Sequence, residues 1–164
     1  MPLGVPFFRQ KKEHTCGPAV LKMVFAFFGK KVKEEELVRT LKTNVSFGTF
    51  HRELIHVAQS NGFFVYVNHG SNLEELDYLC RRGLPPIVHF TEPDGEEGHY
   101  AVVTAVTKRH VVLNDPWNGL GFRLTRGAFV RRWKHRLAGR NFIFWMMTIS
   151  PELISVGRIY VPRV

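Results

Sequence analysis

Hydrophobic residues recur at helical spacing through most of the first half of the chain. Ala19, Val20, Met23, Val24, Phe27 and Phe28 form one apolar face and predict a first helix. Thr15 suits its N-cap, Pro18 falls in its first turn, and Gly29 suits its C-cap. A short second helix is predicted over Lys33 to Leu41, with Leu37, Val38 and Leu41 inward. After the loop Asn44-Val-Ser-Phe-Gly48, Thr49 is the expected cap of a third helix running to Asn61, which buries Phe50, Leu54, Val57 and Ala58. Gly62 ends it, and Phe63 to Val67 reads as a strand. Asn72 caps a fourth helix reaching about Arg82, with Leu73, Leu76, Leu79 and Cys80 on its buried side and Gly83 closing it.

Beyond Gly83 the pattern becomes β-rich. Ile87 to Phe90 is a predicted strand, and Pro93-Asp-Gly-Glu-Glu-Gly98 a turn. His99 to Thr107 and Val111 to Asn114 read as strands paired across Lys108-Arg109, a β-meander that Asp115-Pro-Trp-Asn-Gly119 breaks. A helix is predicted over Arg126 to Leu137, with Phe129, Val130 and Trp133 inward, and a strand over Phe142 to Ile149. Helices first and strands later predict an α+β fold, N-terminal helices packed on a C-terminal antiparallel sheet. Residues 1–150 suit one domain. Residues 151–164 form an extension, with Arg158 to Val161 as an edge strand or an arm onto a second copy.

Composition narrows the partners. The chain of 164 residues carries 23 Lys plus Arg against 14 Asp plus Glu, a net charge of +9. The excess gathers at Arg9 to Lys12, Lys30 to Lys33 and Arg123 to Arg140. It makes a solvated face or attracts an acidic partner. No nucleic-acid module signature accompanies it, so no nucleic-acid partner is expected. Two cysteines, Cys16 and Cys80, make no disulfide framework; they could form one bridge, but a reducing compartment fits at least as well. No signal peptide and no apolar run of membrane-spanning length is visible, so a soluble cytoplasmic protein is expected. Oligomeric state stays open. The eight histidines never fall at paired zinc spacing with cysteine, and His51 and His56 do not share a helix face, so neither metal nor cofactor is expected.

The candidate chemistry begins at Gln10-Lys-Lys-Glu-His-Thr-Cys16-Gly17-Pro18-Ala19. Cys16 lies at the positive end of the first helix, which favours a reactive thiolate. Gln10 supplies an amide suited to an oxyanion. The plainer reading is a small residue starting a buried helix. Further on, Gly98-His99-Tyr100 places an imidazole at a strand start and Asn114-Asp115-Pro116 a carboxylate at the next strand's end. Paired antiparallel, these strands bring His99 and Asp115 to the same end of the sheet, where the carboxylate orients the ring and the ring takes the thiol proton. The plainer reading of Asp115 is a turn former before Pro116, and that of His99 a polar strand end. His89 competes for the base role. His14 reads as a solvated neighbour of Cys16, Cys80 as a core residue, and Trp117 as packing rather than groove wall.

Gln10, Cys16-Gly17-Pro18-Ala19 with Met23 and Gly29, Gly98-His99-Tyr100-Ala101-Val102-Val103 and Asp115-Pro116 together resemble the C39-type cysteine peptidases of papain-like fold. Gly48-Thr49 and Gly62 also fit, and the resemblance spans roughly residues 4 to 149. It implies Cys16 as nucleophile, His99 as general base, Asp115 as orienter and Gln10 as oxyanion donor, with the Cys16 N–H as second donor. It also implies a peptide or protein substrate, as in the C39 domains that process bacteriocin leader peptides. Two alternatives use the same residues: an acyl or peptidyl transferase, and a peptide-binding module without turnover.

Overall fold

The computed structural model describes residues 1–155 and 159–160. Three helices come first: α1 (Cys16–Phe27), α2 (Glu34–Thr40) and α3 (His51–Ser60). Strand β1 (Phe64–Asn68) and helix α4 (Leu73–Arg81) follow. Next come β2 (Ile87–Thr91), β3 (Gly98–Val106), β4 (His110–Asp115) and β5 (Gly119–Thr125). The described chain ends with α5 (Arg126–Arg132), β6 (Lys134–Leu137), β7 (Arg140–Ile143), β8 (Met146–Ser150) and β9 (Ile159–Tyr160). A seven-stranded sheet has the order β5-β4-β3-β2-β8-β1-β9, and β6 and β7 form a separate hairpin. Every described pairing in the large sheet is antiparallel.

Both faces of this sheet are covered, and the pleat sorts neighbouring residues between them. Val65, Ile87, Tyr100, Val102 and Met147 join one apolar cluster with residues of α1, α2 and α3. Their chain neighbours Tyr66, Val88, Ala101, Val103 and Met146 join a second cluster with residues of α4 and α5. A strand covered on both faces needs no polar side, so β2 and β3 read as apolar runs instead of alternating patterns. This is the α+β architecture, N-terminal helices on an antiparallel sheet, that the hydrophobic pattern predicts.

Helix ends obey the local signals unevenly. Asn72 caps α4 as expected, accepting from the Glu75 N–H at 2.8 Å. Thr15 precedes α1, but its hydroxyl turns back to donate to the Lys12 carbonyl at 2.9 Å and leaves the helix uncapped by a side chain. Thr49 is not the cap of α3; Phe50 holds that position. The Thr49 hydroxyl instead bonds the Thr43 hydroxyl at 2.7 Å, and its carbonyl accepts from the Tyr100 hydroxyl at 2.7 Å. A local turn carbonyl takes the Thr15 hydroxyl, and the neighbouring loop takes the Thr49 hydroxyl.

The region after Asp115 departs most from expectation. The turn at Asp115 leads into strand β5, which the sequence reading passed over although Leu120, Phe122 and Leu124 alternate along it: Phe122 and Leu124 pack on the second cluster, and most other positions are exposed at the sheet edge. The helix expected through Leu137 stops at Arg132. Trp133 leaves the helical backbone, and its indole N–H donates to the Trp145 carbonyl at 2.9 Å. Lys134–Leu137 then pairs with Arg140–Ile143 as the hairpin. The strand expected over Phe142 to Ile149 is two strands, because Phe144 turns the chain with φ of 53° and β8 crosses into the large sheet. At the other edge, β9 pairs with β1 at Val65 and Tyr66. Arg158 and Val161, the ends of the segment expected as an edge strand or arm, lie outside the described residues.

One close approach seats α1. A Cβ built on Gly17 would lie 2.3 Å from Thr49 Oγ1 and 2.6 Å from Thr49 Cβ. Alanine inside a helix is ordinarily favoured over glycine by about 1 kcal/mol. Gly17→Ala is nevertheless expected to destabilise the fold by about 1–3 kcal/mol, as overpacking does. A lowered denaturant midpoint checks this; an unchanged or raised midpoint would mean that Thr49 gives way freely.

Candidate active site

Cys16 is the first residue of α1 and 8% exposed. Its place follows from the helix behind it, where Val20, Leu21, Met23, Val24 and Phe25 are all fully buried. The first N–H groups of a helix have no intrahelical acceptor, so the thiol sits where the backbone favours negative charge.

His99 is the second residue of β3 and Asp115 the last of β4, and they are 5% and 0% exposed. Pairing of Val102 with Asn114 brings these strand ends together. His99 Nε2 lies 2.6 Å from Asp115 Oδ1. With Nε2 on the carboxylate, Nδ1 is left for Cys16, whose side chain also interacts with this ring. Burial alone would lower the His99 pKa, but the bonds to Asp115 and Cys16 and the charge of both partners outweigh it and carry the pKa up to about 10. For Asp115, burial pushes the pKa up, yet His99 and Asn118 prevail and hold it below the usual carboxylate value.

Asp115 is also the turn former that the Asp-Pro pair suggests. Its Oδ1 accepts from the Trp117 and Asn118 backbone N–H groups at 2.9 and 3.0 Å. Its Oδ2 accepts from the Asn118 amide at 3.0 Å. The same carboxylate thus closes the turn and meets the ring. Asn118, which the sequence reading passed over, also donates to Glu92 Oε1 at 3.2 Å. Its position three residues after Asp115, inside the Asp-Pro turn, was the available signal.

Residues 3–10 run beside β3 and β4 toward the Asp115 turn. The Leu3 N–H donates to the Thr104 carbonyl at 2.9 Å, the Asn114 amide to the Val5 carbonyl at 2.9 Å, and the Gln10 N–H to the Pro116 carbonyl at 3.1 Å. Gln10 is thereby carried to the Asp115 turn. Its side-chain amide, however, donates to the Lys12 and Glu13 carbonyls at 2.8 and 3.0 Å. It curls the loop that leads into Cys16. Gln10, His99 and Trp117 line one cavity of about 350 Å³. Cys16, His14, His89 and Tyr100 line another of about 340 Å³.

Trp117 is 46% exposed and stands in the first of these cavities, so it is a cleft wall and not the packing residue expected. Cys80 is buried on α4, its thiol meets the Val103 carbonyl at 3.6 Å, and burial pushes its pKa up to about 12. His89 does not reach the Asp115 pair. It stacks on Tyr100 with ring centroids 3.9 Å apart and bonds His51. No spacing rule brings His51, His89 and His135 together; the fold does.

A helix-borne thiol beside an imidazole–carboxylate pair at the end of an antiparallel sheet is the arrangement of the papain-like cysteine peptidases. Similarity to known proteins agrees. The model of the Peptidase C39 family matches residues 4–138, and the chain belongs to that family of cysteine peptidases. No curated protein matches it. Among solved structures it is similar to the peptidase domain of Streptococcus ComA, a bifunctional ABC transporter of a quorum-sensing pathway. That likeness has a TM-score of 0.71 at 23% identity over 88% of this chain and 97% of the other. It is also similar to a double glycine motif protease from an AMS/PCAT transporter, solved with its leader peptide, with a TM-score of 0.70 at 20% identity over 92% and 94% of the two chains. A Bacillus anthracis protein named as C39-like gives a TM-score of 0.71 at 16% identity over 90% and 94%. At these identities the structural likeness speaks for the fold.

The buried pair has a pH signature. The folded pKa of His99 lies above its ordinary value, so the stability it contributes is complete below about pH 6.5 and is lost as pH rises through about 10. Its ring proton is expected to persist to about pH 10 by NMR. Asp115→Asn is expected to lower that titration; a ring that titrates near pH 6.5 in both proteins would contradict the bond.

Proposed function

We propose that this chain hydrolyses a peptide bond in a leader-type peptide, with Cys16 as nucleophile, His99 as acid and base, and Asp115 as the group that holds the ring. The 2.6 Å contact between His99 and Asp115, with Cys16 on the same ring, is the observation that carries the reading. The Cys16 thiolate attacks the carbonyl carbon and forms a tetrahedral oxyanion. Collapse breaks the C–N bond while His99 gives its proton to the leaving amine. Water then attacks the thioester, His99 takes a proton from it, and the acid product leaves as the Cys16 sulfur is freed.

The Cys16 N–H, free of an intrahelical acceptor, suits one oxyanion contact. Gln10 suits the other only when its amide gives up a loop carbonyl, because it donates to Lys12 and Glu13. Two features support a peptide substrate: the membership in the C39 family, and the leader-peptide complex of a structurally similar protease. The net charge of +9 favours acidic segments in such a peptide. Both cysteines are free, which suits work in the reducing cytoplasm. No helix among the described residues is long and apolar enough to cross a membrane.

The test is cleavage of a leader peptide carrying a double glycine, read by product mass. Cys16→Ala and His99→Ala are each expected to lower kcat/KM by more than about 10⁴-fold while the melting curve stays cooperative. Gln10→Ala is expected to cost about 10²–10³-fold if its amide reaches the oxyanion. Iodoacetamide near neutral pH is expected to label Cys16 and spare Cys80; labelling of Cys80 alone, or cleavage retained by Cys16→Ala, would refute the assignment.

A further inference from the structure

His51, His89 and His135 come from three separate elements, the start of α3, the middle of β2 and strand β6. All three are buried, and one ring nitrogen of each lies within 4.8 Å of the others. His51 Nε2 and His89 Nδ1 are 2.6 Å apart. The remaining nitrogens are poorly served. His51 Nδ1 and both ring nitrogens of His135 are buried with no hydrogen-bond partner among the described residues. A buried ring nitrogen without a partner is unfavourable, and an ion that takes one nitrogen from each ring would give His135, which has no partner at either nitrogen, a bond.

The rings are also held and kept basic. His51 stacks on Trp145 at 3.7 Å, His89 on Tyr100 at 3.9 Å and His135 on Phe142 at 5.3 Å. Burial keeps each ring neutral, lowering His51 to about 2, His135 to about 4 and His89 well below its ordinary value. Neutral imidazole is the form that binds metal, so protons compete little for these rings near neutral pH. Gly98 leaves the cluster its space: a Cβ there would lie 3.1 Å from His135 Cδ2 and 3.2 Å from His89 Nε2.

We propose that His51, His89 and His135 form a binding site for a divalent transition-metal ion of the zinc class, with a fourth position open to the cavity that Cys16 also lines. An all-imidazole set selects zinc, cobalt, nickel or copper and rejects calcium and magnesium, which require oxygen ligands. Zinc–nitrogen bonds of about 2.0–2.1 Å in a tetrahedron set ligand nitrogens about 3.3 Å apart. The His51–His89 contact therefore opens slightly and His135 moves inward. The bound ion would tie α3 and the β6–β7 hairpin to the central sheet. This site is independent of the proposed peptide cleavage, since none of its ligands is Cys16, His99 or Asp115.

The test titrates the full metal-free chain with cobalt(II), read by visible absorption, and with zinc(II) in competition with a chromophoric chelator. One ion per chain with a four-coordinate cobalt spectrum is expected. Cys16→Ser is expected to bind equally, which separates this site from the reactive thiol. His135→Gln and His51→Gln are each expected to weaken binding beyond the 10–100-fold typical of losing a supporting contact. Melting curves confirm that each variant is folded. No uptake by the unaltered chain, uptake that survives both glutamine variants, or uptake lost in Cys16→Ser would overturn the proposal.

Discussion

The position of one sulfur depends on the burial of one helix. Helix α1 is seated against the centre of the sheet with Val20, Leu21, Met23, Val24 and Phe25 fully covered. Interiors pack at near-crystal density, so such a helix has little freedom to slide or rotate. Gly17 removes the one side chain that would have held it away from Thr49. Tyr100 then bonds the Thr49 carbonyl, linking the same loop to β3 one residue after His99. Thiol and imidazole are therefore registered through shared packing, before any attraction between them is considered.

That attraction has to overcome burial. A carboxylate with no exposed surface is costly unless its lone pairs are filled, and a half-satisfied buried pair is worse than none. Asp115 receives two backbone N–H groups, the Asn118 amide and His99. The turn that closes β4 onto β5 thus serves the carboxylate, and the carboxylate serves the turn. This explains why an Asp-Pro turn and an orienting group are compatible readings of one residue. It also explains why Asn118 and the extended segment ending at Gln10 matter, since both fix the turn that fixes the ring.

The three-histidine cluster lies on the α3-facing side of the same sheet, and His89 and His135 line the cavity that Cys16 also lines. It contrasts with the His99–Asp115 pair. There, a carboxylate raises the basicity of the imidazole; here, burial without a carboxylate favours the neutral form of three rings and leaves nitrogens unpaired. One protein thus prepares imidazole in two opposite states by supplying or withholding a partner.

Much of the fold and of the candidate site was legible in the order of residues. Helices α1 to α4 and strands β1 to β4 carry their periods, glycine stops and, at Asn72, their cap in local sequence, because their burial is one-sided or complete over a full element. Cys16 at a helix start, His99 at a strand start and Asp115 at a strand end are likewise local facts, and antiparallel pairing of adjacent strands makes two of them neighbours. What needed the three-dimensional structure were edge strands, side chains that choose among competing partners, and contacts between residues far apart along the chain. Strand β5 alternates Leu120, Phe122 and Leu124, but Gly119 and Gly121 make so short a run read as a turn, and the four-residue strands of the β6–β7 hairpin are too short to show a period. Thr15 and Thr49 abandon caps for other partners, Gln10 spends its amide on loop carbonyls, and Trp117 faces a cavity. His51, His89 and His135 meet from positions that no spacing rule connects, because three-dimensional packing has no fixed relation to distance along the chain.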